Sequence, residues 1–92
     1  MKSFEWDEEK GKKNIKKHGI AFEEAISVFE DSFAITIFDP LHSIDEDRFI
    51  DLGYSSKGRL LVVIYTEREN RIRLISCRKA TNQEKTSYEQ FR

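Results

Sequence analysis

The residues best suited to chemistry in this sequence are arginines that alternate with apolar residues near the C-terminus. Arg68, Arg71, Arg73 and Arg78 all lie within the stretch 65–80. A guanidinium group stays charged at physiological pH, and its planar fork of N–H donors matches the oxygens of a phosphate. A strand that presents several such groups is either heavily ion-paired or able to bind a phosphate backbone, and the second interpretation points to RNA.

Ion pairing within the protein is the alternative for these arginines. It is favoured for Arg71 and Arg73, which lie in or beside a predicted turn, whereas phosphate binding is favoured for Arg78, which ends an apolar strand. Arg48 would lie on the neighbouring strand of a simple meander. The carboxylates that could pair with these arginines are Glu67, Glu69, Asp47 and Asp51.

Two histidines and one glutamate could move protons. The pKa of a free imidazole is about 6.5, which suits proton transfer near neutral pH. His18 comes at a predicted helix end, where it is either a proton carrier or a helix cap. His42 lies in an acidic loop and is interpreted as a solvated residue. Glu67 is either a general base for an RNA 2′-hydroxyl or the partner of an arginine.

Three further side chains have two interpretations each. Tyr65 and Tyr88 could stack on a base. Tyr65 is favoured as a core residue, and Tyr88, on the last predicted helix, is left open. Cys77, the single cysteine, lies in a strand-like run, where a small core residue is favoured over a reactive thiol.

Composition predicts one small domain over residues 1–92. Hydrophobic residues are 38% of the chain and charged residues 36%, a globular composition. The formal net charge of -1 hides a segregation. Residues 20–56 hold nine acidic residues and one basic residue, whereas residues 57–92 hold nine basic and four acidic ones. Such segregation can create a basic face on a nearly neutral molecule.

Several classes of protein are disfavoured. No apolar run approaches the roughly 20 residues of a membrane span, and the N-terminus lacks the apolar centre of a signal peptide. One cysteine cannot form an internal disulfide, so a cytoplasmic protein is expected. No glycine-rich phosphate loop is present, and neither a metal site nor a cofactor is predicted; the acidic run 45–47 is a weak exception.

Periodicity and capping residues predict an α+β fold. Asp7 and Gly19 suit the two ends of a first helix, and Thr81 with Glu84 forms a capping box before the last one. The middle strands should form an antiparallel β-meander, with two N-terminal helices and a C-terminal helix packed on it. The predicted helices are 7–18, 21–30 and 82–91; the predicted strands are 1–6, 33–38, 48–54, 59–66 and 71–78.

A set of short motifs, in order over almost the whole chain, matches a known family. They include Phe4-Glu5-Trp6-Asp7, Lys17-His18-Gly19, Phe22-Glu23-Glu24-Ala25, Asp39-Pro40, Gly53-Tyr54-Ser55, Tyr65-Thr66-Glu67-Arg68 and Ser76-Cys77-Arg78-Lys79-Ala80. Together they resemble the BrnT family of toxins.

The resemblance implies a RelE-like fold and a function. BrnT proteins are the toxins of type II toxin–antitoxin pairs, which cleave RNA and arrest growth. Each is neutralised by a BrnA antitoxin, whose DNA-binding domain lets the complex repress its own operon, usually with two toxins and two antitoxins. A metal-independent endoribonuclease is therefore expected, with a 2′,3′-cyclic phosphate as the hypothetical product. The alternative is a catalytically inactive module of the same fold that acts as antitoxin partner or co-repressor.

Residue roles are assigned from the positions that match the family motifs, together with the chemistry of each side chain. Arg48 and Arg78 are expected to bind the scissile phosphate, and His18 or Glu67 to carry the proton. The catalytic set is thus His18, Arg48, Glu67 and Arg78. The expected RNA-binding set is Lys17, Arg68, Arg73, Lys79 and Tyr88.

Overall fold

The helices and strands follow the predicted order. A computed structural model describes residues 3–44 and 46–91. Two 3-10 turns, Ser27–Glu30 and Pro40–His42, lie between the regular elements. The elements are β1 (Ser3–Glu5), α1 (Glu8–His18), α2 (Phe22–Ile26), β2 (Ile35–Phe38), β3 (Arg48–Tyr54), β4 (Leu60–Arg68), β5 (Arg71–Lys79) and α3 (Asn82–Gln90).

The strands form one mixed sheet in the order β1-β5-β4-β3-β2. Strands β2 to β5 form the predicted antiparallel meander. The short predicted edge strand is confirmed for β1, but it runs parallel to β5, with Ser3 opposite Arg71. Residues 1–2 of that prediction lie outside the described residues. The sheet is therefore mixed rather than purely antiparallel.

The predicted caps define the ends of α1 and α3. The Asp7 carboxylate accepts from the N–H groups of Glu9, at 2.8 Å, and Lys10, at 3.2 Å. Gly19 closes α1 with φ 72°, a left-handed conformation that glycine adopts without strain. At α3 both halves of the Thr81–Glu84 capping box are formed. Local sequence thus determines where these two helices begin and where α1 ends.

The second predicted helix is shorter than the apolar spacing indicated. Its α-helical part ends at Ile26, and a 3-10 turn follows. The Ser27 hydroxyl donates to the Glu24 carbonyl at 2.6 Å and accepts from the Ser56 N–H at 2.8 Å. The buried Glu24 carboxylate, on α2, also accepts two hydrogen bonds from the Arg59 guanidinium. The bonds to Ser56 and Arg59 are long-range, and they fix the backbone where the α-helix gives way to the 3-10 turn.

Strand β2 starts two residues later than predicted. Asp31 accepts the Phe33 N–H at 2.9 Å through its side chain and the Ala34 N–H at 3.0 Å through its carbonyl. These bonds form a turn at residues where the pattern indicated a strand. Competition of this kind, between a short polar side chain and the sheet, is common for aspartate.

The sheet has two different faces. Helices α1 and α2 cover one of them, which we call the helical face, and the core lies there. It includes Ile20, Phe22, Leu61, Val63, Tyr65, Leu74 and Cys77. Helix α3 covers one end of the other side, which we call the open face, and packs there through Tyr88 against Leu52 and Val62. Burial of apolar area favours both contacts. Beyond α3, the open face carries exposed side chains such as Arg68 and Arg73 beside buried ones such as Thr66.

Asn14 joins α1 to the sheet. Its side-chain amide donates to the carbonyls of Cys77, at 2.9 Å, and Ile20, at 2.8 Å, while its oxygen accepts the Cys77 N–H at 3.0 Å. Strand β1 pairs with β5 only as far as Arg73. Further along β5, the Asn14 side chain makes the hydrogen bonds to the Cys77 backbone that a neighbouring strand would make. Cys77 itself is fully buried, which confirms it as a core residue, and burial raises its pKa to about 12.

Candidate RNA-binding and catalytic face

The open face carries a row of polar side chains across three strands. Arg48 of β3 lies opposite Thr66 of β4, and Thr66 lies opposite Arg73 of β5. Cross-strand partners point to the same face of a sheet, so these three side chains are neighbours. One step nearer the β4–β5 turn, Arg68 and Arg71 form a second pair. These four arginines thus lie in two adjacent rows, at the end of the sheet away from α3.

A pocket of about 490 Å³ lies at the β4–β5 turn and is lined by Arg68, Arg71, Arg73, Glu5 and Glu69. Glu5 accepts one hydrogen bond from Arg73, at 2.9 Å, and one from Arg71, at 3.4 Å. One carboxylate therefore serves two guanidinium groups, and each retains donors that an incoming phosphate can use. The interpretation of Arg71 and Arg73 as ion-paired holds in this structure, with Glu5 as the partner.

Beside this pocket lies a groove of about 350 Å³ that contains His42, Arg48 and Thr66. His42 Nδ1 is 2.9 Å from Asp39 Oδ2. When Nδ1 carries the proton of this bond, the lone pair of the imidazole is on Nε2 and free to accept a proton. Arg48 Nε is 4.0 Å from the same Asp39 oxygen, which is too far for a hydrogen bond.

Two buried polar atoms in this groove lack partners. Within residues 3–44 and 46–91, neither Arg48 Nε nor Thr66 Oγ1 makes a hydrogen bond of ordinary geometry. Buried donors are nearly always satisfied in folded proteins, because leaving one unpaired costs about 1–3 kcal/mol. An unpaired guanidinium nitrogen beside a histidine–aspartate pair is the arrangement expected where a ligand supplies the missing acceptor.

The glutamate that joins the two cavities holds an arginine in place. Glu46 lines the His42 groove and binds Arg68, with Nε to Oε2 at 2.6 Å and Nη2 to Oε1 at 2.5 Å. Because the Arg68 guanidinium binds the charged form, the pKa of Glu46 lies below its usual value. Glu46 therefore stays ionised and orients Arg68 between the pocket and the groove.

Lys17 and His18 line a third groove, of about 250 Å³, on the outer side of β5. Lys10 and Lys13 of α1 complete its basic wall. Ile75 lines both this groove and the His42 groove, so the two adjoin along β5. The predicted proton carrier His18 thus lies in a lysine-lined groove whose lining includes none of the four arginines, and the two sets of residues meet only through Ile75.

Glu67 is separated from the arginines by the sheet. It lies between Thr66 and Arg68 along β4 and opposite Ile72, which belongs to the core under the helices. Since successive side chains of a strand alternate between faces, Glu67 is on the helical face while Arg48 is on the open face. The structure therefore does not place Glu67 where a base for a phosphate held by Arg48 would lie.

Arg78 is held by Glu84 in a bidentate ion pair, with distances of 2.8 and 2.9 Å. Glu84 is the capping-box residue of α3. Arg78 thus attaches α3 to the sheet, at the covered end of the open face opposite Val62. The expectation that Arg78 and Arg48 bind one phosphate together is not supported by this arrangement.

Two of the expected RNA contacts are also distant from the arginine rows. Tyr88 is only 2% exposed, packs edge-on against Tyr54, and donates to Asp31 at 2.7 Å. The prediction that Tyr88 stacks on a base is therefore wrong, because its ring is part of the smaller core. Lys79 lies at the far end of β5, where it lines a separate groove with Lys85.

Acid should weaken the attachment of α3. Arg78 lowers the pKa of Glu84 to about 2, from an ordinary value of 4.5. A lowered pKa stabilises the fold above the unfolded pKa, and this contribution is lost as pH falls from about 4.5 towards 2. We expect Glu84→Gln, which keeps the capping ability, to lower the free energy of unfolding by about 1–2 kcal/mol at pH 7, because the pair is partly exposed.

Urea unfolding of Glu84→Gln and of the unchanged chain, at pH 7 and pH 3, measures this effect. The difference between the two proteins should shrink at pH 3. Glu89→Gln, an exposed change on the same helix, is the matched control and should change stability little. An equal difference between the two proteins at both pH values would contradict the ion-pair explanation.

The sequence did not predict Asp39 and Thr66 as members of the candidate site, and it gave His42 no role there. Asp39 immediately precedes the 3-10 turn Pro40–His42, and His42, three residues further on, is the last residue of that turn. In such a turn residues i and i+3 lie above one another, so the Asp-Pro-x-His spacing was a usable indication. Thr66 gave no comparable indication, because its importance depends on its cross-strand partners.

The described residues also bear on metal binding and membrane insertion. Over residues 3–44 and 46–91, no three His, Cys, Asp or Glu side chains gather in a way that would hold a metal ion. The helices in the same part of the chain are all too short or too polar to cross a membrane.

The described residues form a small α+β protein, with helices packed on a mixed sheet and an arginine-rich open face. The chain belongs to the BrnT family, because the family model described as "Ribonuclease toxin, BrnT, of type II toxin-antitoxin system" matches residues 6–84. Membership implies an RNA target and an antitoxin partner. The resemblance read from the motifs is thereby confirmed.

A solved structure supports the fold independently. The chain is similar to the Brucella abortus ribonuclease toxin BrnT, known from a crystal structure at 1.1 Å resolution. The TM-score is 0.66 at 24% sequence identity, and the match covers 89% of this chain and all of the other. A comparison with curated protein sequences finds no significant match.

Proposed function

We propose that the chain is an endoribonuclease that cuts RNA without a metal ion, with its reaction centre in the groove formed by His42, Arg48 and Thr66. The observation that carries the proposal is the unpaired Arg48 guanidinium nitrogen beside the Asp39–His42 pair. It supplies, in one groove, a fixed positive charge for a phosphate and an oriented imidazole for a proton.

The arginine rows suit both the bound RNA and the transition state. An RNA backbone that crosses the open face would place one phosphate at Arg48 and the next ones near Arg68 and Arg73. When the 2′-oxygen attacks, the phosphate becomes pentacoordinate and gains negative charge. Guanidinium groups already in place stabilise this charge without reorganisation, which is the most effective form of electrostatic catalysis.

In this proposal, His42 is the proton acceptor and His18 is a candidate proton donor. His42 Nε2 accepts the proton of the 2′-hydroxyl, and the 2′-oxygen forms a bond to phosphorus. The bond from phosphorus to the 5′-oxygen breaks, and that oxygen receives a proton from His18 or water. The products are a 2′,3′-cyclic phosphate and a 5′-hydroxyl. Asp39 holds the imidazole orientation and stabilises its charged form, as carboxylates do for catalytic histidines elsewhere.

The partners belong to the same proposal. A BrnA-type antitoxin, two toxins with two antitoxins, binding of operator DNA through the antitoxin and a cytoplasmic location are supported by the family resemblance. The RNA targets of a growth-arresting toxin are themselves cytoplasmic.

A non-catalytic binding module is the second candidate. It is favoured by the ion pairs of the unbound chain, where Glu5 and Glu46 hold three of the four open-face arginines. RNA would have to compete with these carboxylates. Under this alternative, expression of the chain would be harmless to cells and the purified protein would leave RNA intact.

Cleavage of a labelled RNA by the purified chain, with and without EDTA, tests the proposal. We expect equal rates in both buffers, because the arginines and histidines supply the chemistry. The new 3′ ends should resist poly(A) polymerase until the cyclic phosphate is opened and removed enzymatically. Loss of cleavage in EDTA that magnesium restores would contradict metal independence, and intact RNA in both buffers would favour the binding module.

A further inference from the structure

The open face also carries an aliphatic strip that the proposed catalysis does not use. Ile37 of β2, Ile50 of β3 and Ile64 of β4 lie opposite one another in consecutive strands. The strip runs between the arginine row of Arg48 and the end that α3 covers. Ile37 is 53% exposed, although it is a large apolar side chain on a sheet.

The loop before β3 extends this strip with its two most exposed apolar residues. Leu41 is 83% exposed and Ile44 is 89% exposed. Both line the His42 groove, together with Ile75 from β5. Single exposed apolar residues are ordinary on protein surfaces, but a contiguous group around a groove is typical of a surface that binds another protein.

The border of the strip indicates the charge of its partner. Arg48 lies on one side, and Arg68 lies beyond it at the pocket. A partner that offers a carboxylate to Arg48, whose Nε has no acceptor within residues 3–44 and 46–91, and aliphatic side chains to the isoleucines fits both parts of this surface. RNA offers the negative charge but no aliphatic side chains, so it accounts for only half of the surface.

A second copy of the chain fits the strip poorly. In a two-fold symmetric dimer the same patch faces itself, and an axis that runs across the strip brings the arginine border of one copy onto that of the other. Like charges brought together in this way disfavour association. The charge pattern selects a different protein with an acidic, aliphatic segment.

We infer that the antitoxin docks on this strip, inserting an amphipathic segment whose aliphatic residues cover Ile37, Leu41 and Ile44 and whose acidic residues bind Arg48 and Arg68. The inference rests on the antitoxin partnership of the family. The occlusion it implies, in which the segment blocks His42 and Arg48 from RNA, rests in addition on the function proposed above.

Affinity for a purified BrnA-type antitoxin, measured by calorimetry, tests the inference. We expect the double variant Ile37→Ser, Ile44→Ser to bind about a hundredfold more weakly, as is common when two central apolar contacts are removed. Ile15→Ser is the matched control, because Ile15 on α1 is 51% exposed, almost as much as Ile37, but lies outside the strip. It should bind like the unchanged chain.

The outcomes separate this inference from the proposed function, because binding is measured without RNA. Unchanged affinity of the double variant, or equal losses in the double variant and Ile15→Ser, would overturn the docking site. So would light scattering that shows a dimer of the free chain which the double variant converts to monomer. Weakened binding in the double variant alone would support docking even for a chain that does not cut RNA.

Discussion

Replacing Arg48 with glutamine is expected to reduce the rate of RNA cleavage by about a hundred- to a thousandfold. The physical reason is the loss of a preorganised positive charge where the phosphate gains negative charge, an effect of about that size for a single donor. The measurement is the single-turnover cleavage rate of a labelled RNA. The variant should fold normally, because Arg48 Nε makes no hydrogen bond within residues 3–44 and 46–91.

Arg71→Gln is the matched control for this prediction. Arg71 is an exposed arginine of the neighbouring pocket and already shares Glu5 with Arg73. Its loss should weaken RNA binding in a salt-dependent way, with less than about a tenfold effect on single-turnover rate at saturating RNA. Equal losses in the two variants would show that the arginines act as one diffuse charge, without a special position for Arg48.

Replacing His42 with asparagine is expected to reduce cleavage by about a hundred- to ten-thousandfold, the usual range for loss of a general base. The rate of the unchanged chain should fall with decreasing pH, because a protonated imidazole cannot accept the 2′-hydroxyl proton. The variant should lack this acidic limb. A pH profile therefore distinguishes a proton carrier from a residue that only shapes the loop.

His18→Asn is the comparison that decides between the two histidines. If His18 donates the proton to the 5′-oxygen, its loss should remove the limb at high pH, where a donor must be protonated. Asp39→Asn should have a smaller effect than His42→Asn, because it changes only the orientation and charge of the imidazole. A His42→Asn variant with full activity and an unchanged pH profile would assign the chemistry elsewhere, with His18 the first candidate.

Local sequence was enough to predict the order of the elements. Asp7, Gly19, Thr81 and Glu84 act on backbone groups within a few residues of themselves, so the ends that they cap could be read directly. The antiparallel meander followed from alternating apolar residues and short turns. The error in α2 came from Ser27, whose hydroxyl binds an N–H from residue 56, a contact that no local pattern encodes.

The candidate site was harder to predict, because it depends on which face of the sheet each residue occupies. A register shift between Ile64 and Tyr65 breaks the simple alternation in the β4–β5 hairpin. Arg73 and Arg78, which strict alternation would place on opposite faces, therefore both lie on the open face, Arg73 in the arginine row and Arg78 bound by Glu84 beneath α3. The ion pairing of Arg71 and Arg73 was correctly anticipated, but the grouping of the arginines required the three-dimensional register.

Asn14 has a consequence for how the free chain behaves in solution. An uncovered strand edge is a template on which other chains can add strands and begin to aggregate. The Asn14 side chain binds both the N–H and the carbonyl of Cys77. These two backbone groups at the β5 edge therefore cannot pair with a strand from another chain. One amide side chain therefore helps the free chain to remain dispersed whenever its antitoxin partner is absent.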